Sequence, residues 1–444
     1  MPRTATERHG MDGDPTTLAA ILAGEPSAPA WEQAWPLLEQ APADLLAEAA
    51  PVLLAWPPRL RPMPDHWWQR YAAGQADPWH ALAAWRRLGD LQDVESGRPA
   101  ETGRDEEDEG DDFAYFYHGA TSVACPAEPR WLVVTAAAEW HHNGGDIVVW
   151  GTAPQAPSAM LLDGARFHDE ALDTQLSPDG TIAVSSVEGR VHAWRVPEGT
   201  EAWQLNLGPN EDDDFFDTER TTVRIGFSAD GSRVAAGSAA RGVRVLDPYT
   251  GEVVLELAAD PLGPVALDPT GRRLAHAGRA GEIVVRDTGS GAELLRHDSG
   301  LLRVNALAFA PDGGGLLVAG GVREGAEDAP VTPAAVLLTL DGDAVGGAAP
   351  VRPQGLPAKL TGDSPLATVC TRAVWGQCGP LVYAADDDAT ALFDGRGRVL
   401  WTEPAMAAGG FSTDGRVLVT VTETISAVFV DALPPADRSA PRGE

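Results

Sequence analysis

The stretch Leu176-Ser-Pro-Asp-Gly180, followed at once by Thr181-Ile-Ala-Val184, decides how this chain is read. An apolar residue leads into a small polar turn that closes on glycine, and a short apolar run follows. Pro and Asp suit the early positions of a tight turn, and Gly supplies the positive φ that ends it, so the stretch reads as strand, turn, strand. Phe227-Ser-Ala-Asp-Gly231, Leu267-Asp-Pro-Thr-Gly271, Phe309-Ala-Pro-Asp-Gly313 and Phe411-Ser-Thr-Asp-Gly415 repeat it. The turn glycines stand 51, 40, 42 and 102 residues apart. The last interval also holds a degenerate copy, Val374-Trp-Gly-Gln-Cys-Gly-Pro-Leu-Val-Tyr383, and another lies upstream within 122–134. A period of about forty residues, with room for four short strands per unit, predicts a β-propeller, and the copies number seven.

A second mark recurs in register: an apolar strand, an acid, then often Thr-Gly or Ser-Gly. It appears in Val243-Arg-Val-Leu-Asp247 with Thr250-Gly251, in Ile283-Val-Val-Arg-Asp287 with Ser290-Gly291, and in shorter form at Asp341, Asp394 and Asp431. Val191-His-Ala-Trp194 and Ile147-Val-Val-Trp150 carry a Trp at the strand end without the acid. In these residues the chain resembles the WD-repeat family of β-propellers over 113–431. That resemblance implies an all-β ring of seven four-stranded antiparallel blades, used as a protein-interaction scaffold. No unit keeps an intact Trp-Asp pair, and the family's Gly-His pair is reduced to His118-Gly119 or isolated His168 and His297. The side-chain tetrad those residues build in the family therefore lacks its usual members.

Ahead of the repeats the pattern is helical. Asp14-Pro15 is an N-cap followed by proline at the first helical position, and further helices are expected near 30–40, 43–55, 65–73 and 78–88. Trp31 and Trp35 share one helix face, and Trp79, Leu82 and Trp85 another. Residues 14–91 thus read as a small all-α domain with a Trp-rich core, after a disordered 1–13. From 92 to 112 the run Asp105-Glu-Glu-Asp-Glu-Gly-Asp-Asp112 repels itself and reads as an acidic linker. Residues 432–444 read as a disordered tail. The final unit supplies only three strands, so Phe113-Ala-Tyr-Phe-Tyr-His118 is expected to complete it and latch the ring.

The formal charge is −32, from 33 basic and 65 acidic residues. That balance argues against nucleic acid and against anionic membrane as partners, both of which demand a basic footprint. Three cysteines cannot build a disulfide framework, and the first residues lack the apolar core of a signal peptide, so a cytoplasmic protein is expected. Lys359 is the only lysine among many arginines, which reads as the bias of a GC-rich bacterial genome.

Within a propeller, the turns between strands one and two and between three and four open on one face. The two–three turns and the blade-to-blade crossovers open on the other. The irregular segments 139–145, 208–221, 321–334 and 346–366 all belong to the second set. A partner-binding face is therefore expected there, at Trp140, His141, His142, Phe215, Phe216, Arg323 and Lys359, with Asp386, Asp387 and Asp388 in another turn of that face. The negative field favours a basic protein. No nucleophile elbow, phosphate loop or dinucleotide fingerprint is present, and no cofactor or metal is expected. The alternative is an enzyme or ligand-binding protein with a metal or cofactor site at the channel mouth, toward which carboxylates such as Glu139 and Asp173 would contribute.

Overall fold

A computed structural model describes residues 15–39, 41, 43–57, 69, 72–73, 85–90, 117–127, 131–138, 145–151, 158–166, 173–187, 189–196, 198–208, 223–258, 263–323, 325, 329, 331–342, 344–357, 360, 369–376, 379–386, 389–403, 408–421 and 424–430. The chain divides into two compact units, Met1–Leu88 with Ala432–Glu444, and Gly89–Asp431.

In the first unit, α1 (Pro15–Leu22), α2 (Ala28–Glu39) and α3 (Ala43–Leu54) fall where capping and periodicity place them. Ser27 precedes α2 and accepts the Ala30 amide at 3.3 Å, which satisfies one of the donors a helix start leaves open. Leu18, Leu38, Leu46, Leu53 and Trp56 are buried together with Ala34 and Ala50. Trp31 packs on Trp35, with ring centroids 5.4 Å apart, and meets Trp56 edge-on at 6.2 Å. The helix expected over 65–73 lies almost wholly outside the described residues, as do Trp79 and Leu82.

The second unit is a seven-bladed β-propeller built of four-stranded antiparallel sheets. The innermost strands of blades 1 to 7 are Tyr117–Ala124, Asp173–Leu176, Val223–Phe227, Val265–Leu267, Arg303–Phe309, Val369–Gly376 and Ala408–Phe411. Each lies beside the next, and the seventh lies beside the first, so the ring is closed. In blades 1 to 6 the strands follow in sequence from the axis outward.

The repeated turn motif is explained by its hydrogen bonds. Ser177 Oγ donates to Asp179 at 2.6 Å and accepts the Ile182 amide at 2.9 Å, while Asp179 accepts the Thr181 amide at 3.1 Å. Ser228 with Asp230 and Ser412 with Asp414 do the same. Gly180, Gly231, Gly271, Gly313 and Gly415 all adopt positive φ near +70°. The second mark is the turn between strands three and four. Asp287 accepts the Ser290 amide at 2.7 Å and its hydroxyl at 2.6 Å, bonds that hold its carboxyl below the ordinary carboxylate range.

Second strands such as Val234–Ser238 are buried on both faces, because a blade covers each side of them. This is why they read as continuous apolar runs instead of alternating ones. Each buried Val, Ile or Leu contributes about 1.5–3 kcal/mol, and Trp150, Trp194 and Trp401 fill the largest gaps. Trp150 Nε1 has no hydrogen-bond partner among the described residues, in keeping with the missing tetrad. Between blades 6 and 1 the seventh inner strand fits as glycine: a Cβ at Gly409 would land on the Tyr383 ring, and one at Gly410 on the Val123 carbonyl.

Two expectations are corrected at the seam. The fourth strand of blade 7 is Trp85–Asp90, lying beside Thr424–Phe429. The latch is therefore not Phe113–His118: Tyr117 and His118 begin the innermost strand of blade 1, and 113–116 lie outside the described residues. For the same reason the helix expected over 78–88 ends as a strand. Pairing with an open sheet edge outweighs the weak helical preference of Trp85-Arg-Arg-Leu-Gly89. The acidic run 105–112 is then no tether between domains. It falls in the connection from blade 7 to blade 1, which is one of the ring's own crossovers.

One buried histidine carries a testable consequence. His276, on the second strand of blade 4, is 4% exposed, and its Nδ1 has no partner among the described residues. Burial pushes its pKa down from 6.5 to about 4, and the nearby Arg286 and Arg296 add to this while Glu282 opposes it. A base with a depressed folded pKa binds fewer protons folded than unfolded between those values. Stability should then be full above pH 6.5 and fall as pH drops toward 4, by about 3 kcal/mol for this group. Turn carboxylates add a slope of the same sign, so the comparison needed is with His276→Leu. Denaturant unfolding at pH 7 and pH 4.5 should show a smaller acid loss in the variant; equal losses would refute the assignment.

Candidate functional site

Two places in the ring can meet another molecule: the lumen and the face that carries the long connections. The lumen is lined by the inner strands, whose polar residues come from different blades. Asp173 opens the inner strand of blade 2 and is buried. Its Oδ1 lies 3.3 Å from Nη2 of Arg372, which sits on the inner strand of blade 6. Blades 2 and 6 are three steps apart round a ring of seven, as far as two blades can be. The ion pair therefore crosses the channel. Arg372 also donates to Ser122 Oγ of blade 1 at 2.7 Å, and Ser122 Oγ accepts the Thr174 amide at 3.2 Å. Asp173 Oδ2 accepts the Ile225 amide of blade 3 at 3.0 Å, and Gln175 Nε2 donates to Oδ1 at 3.1 Å. One carboxylate and one guanidinium thus join blades 1, 2, 3 and 6. The crossing bounds a cavity of about 370 Å³ that Arg372, Thr174, Ile225, Phe227, Phe309 and Trp375 help to line.

Among the described residues, the turn-bearing face is made of hairpins that satisfy many of their own polar groups. Its blades are stitched by Tyr249 Oη donating to Asp179 at 2.9 Å, Trp203 Nε1 to the Pro248 carbonyl at 2.7 Å and Arg273 Nη2 to the Gly313 carbonyl at 2.6 Å. The strands joined by 139–144, 207–222, 324–330, 352–368 and 91–116 meet those connections at the opposite face. Two expected segments are shorter than the sequence suggests. The strands of blade 5 continue through Arg323 and resume at Val331, paired as far as Arg323 with Val331, so only 324–330 connect them. Residues 346–351 belong to that blade's outermost strand, Ala344–Val351.

Of the residues expected to bind a partner, Arg323 closes the second strand of blade 5, half-buried, with its Nε donating to the Ala329 carbonyl at 2.9 Å. It braces its own loop. Asp386 ends the second strand of blade 6. Trp140, His141, His142, Phe215, Phe216, Lys359, Asp387 and Asp388 lie outside the described residues. Glu139, named for a channel site, also lies outside them, whereas Asp173 does line the channel.

The arginines of the lumen were missed by sequence reasoning. Only Arg224 has a signal, its register: it stands seven residues before the turn glycine of its blade, as Asp173 does in its own, at a position filled by Ala306 and Ala408 in other blades. Among the described residues no group of three or more His, Cys, Asp or Glu side chains is placed to hold a metal ion, and no helix is long and apolar enough to cross a membrane. No family model and no curated protein matches this chain.

Proposed function

We propose that this chain is a WD-type, non-enzymatic scaffold of a bacterial cytoplasm, which captures a basic protein on one propeller face. The observation that carries the reading is the segregation of its connections. The connections 207–222 and 352–368 join strand ends on one side, while the described turns of the other side are short and hydrogen-bonded within themselves. Lengthening a loop costs about 0.6 kcal/mol per doubling, so one insertion would mean little. Binding residues gather on loops held by a rigid frame, and a closed ring is such a frame. The run Asp105–Asp112 precedes the inner strand of blade 1 in sequence, and its acidity supports the choice of a cationic partner. Phe215 and Phe216, inside the acidic crossover 207–222, are the proposed apolar anchors.

The test is capture by the immobilised full chain from native lysate at about 0.05 M and about 0.5 M salt. A partner of net positive charge should be held at low salt and lost at high salt, and lost at both when Phe215 and Phe216 are changed to alanine. Retention that ignores both salt and the two phenylalanines would refute the proposal.

A further inference from the structure

Read across the seven inner strands, the ring carries four charged residues: Asp173 in blade 2, Arg224 in blade 3, Arg303 in blade 5 and Arg372 in blade 6. Three guanidiniums against one carboxylate give the described inner strands a balance of +2, inside a chain of formal charge −32. All four stand in the strand halves nearer the loop-bearing face. Asp173 and Arg372 satisfy each other. Arg224 and Arg303 make no side-chain hydrogen bond or ion pair among the described residues. Arg303 is exposed at the start of its strand, and Arg224 is half-buried on its own strand. That burial pulls the Arg224 pKa down, Asp173 works against it, and the charges of Arg372 and Arg303 lower it further. A guanidinium stays protonated in a protein, so the repulsion cannot be relieved by losing a proton. It can be relieved by an anion.

We propose that the lumen beside the Asp173–Arg372 pair binds a small dianionic oxyanion of the phosphate class, held by Arg224 and Arg303 with Arg372 at its edge. A charge of −2 balances the +2 of the strands. The planar fork of arginine matches the oxygens of phosphate and can hold them two at a time. Arg372 also lines a cavity of about 370 Å³ that neither Arg224 nor Arg303 lines, so the oxyanion can also be the phosphate of an organic molecule whose remainder passes Arg372 into it. This site lies in the lumen toward the partner-binding face, and it stands whether or not that reading holds.

The experiment is a titration of the full chain with inorganic phosphate and with glycerol phosphate, by calorimetry and thermal melting, against sodium chloride at equal ionic strength. Phosphate should raise the melting temperature by several degrees where chloride does not. Its dissociation constant should rise at least tenfold in Arg224→Gln and in Arg303→Gln. Tighter binding of the ester identifies an organic phosphate as the ligand, and equal binding identifies the free ion. Should Arg224→Gln fail to fold, the exposed Arg303 decides the matter. An effect that chloride reproduces, or unchanged phosphate affinity in Arg303→Gln, overturns the proposal.

Discussion

Replacing Arg372 with alanine is expected to lower the unfolding free energy of the propeller by about 3–5 kcal/mol, measured by chemical denaturation at neutral pH. The physical reason lies in what remains behind. Asp173 is 4% exposed and would lose its ion-pair partner, keeping the Ile225 amide and the Gln175 side chain as hydrogen-bond donors and the charge of Arg224 nearby. Ser122 would lose one of its donors, and blade 6 its polar side-chain link to blades 1 and 2. Removing one member of a buried pair costs far more than removing both. The double variant Asp173→Leu with Arg372→Met should therefore recover a large part of the loss, short of the wild type because the Ile225 amide is left unpaired. A single variant as stable as the wild type would show that the crossing is ornamental.

The second large effect concerns the seam. A chain beginning at Trp85 should melt cooperatively as a closed ring. One beginning at Leu91 should melt roughly 10 °C lower or aggregate. The six residues that separate them include the whole fourth strand of blade 7. Without it Thr424–Phe429 becomes an open edge with its backbone donors and acceptors unpaired, an invitation to intermolecular pairing. Scanning calorimetry and size-exclusion chromatography of the two chains make the comparison. Identical melting would mean that the ring closes without that strand.

The blades were legible in the sequence because their turns are chemically self-sufficient. Ser177 and Asp179 hold their turn without help from the rest of the protein, so the motif survives wherever the turn does. The same holds for Asp287 with Ser290. The closing strand was not legible, since Trp85–Asp90 has no turn of its own. It becomes a strand only because a partner some 330 residues later offers it an edge. The channel crossing was hidden for a related reason. Asp173 and Arg372 are neighbours only once the ring is closed, and the register that marks Asp173 says nothing of Arg372. The loop-bearing face was half legible: its side of the ring followed from strand alternation, while the paired flanks of 324–330 did not.

Closure by a strand from near the start of the chain has a consequence for biosynthesis. During translation Trp85–Asp90 leaves the ribosome early, yet its partner Thr424–Phe429 emerges only after the other six blades have been made. For that whole interval the nascent chain must keep an unpaired strand from sticking to the wrong edge. A contact of such long sequence separation makes the final step slow and exposes the growing polypeptide to chaperones.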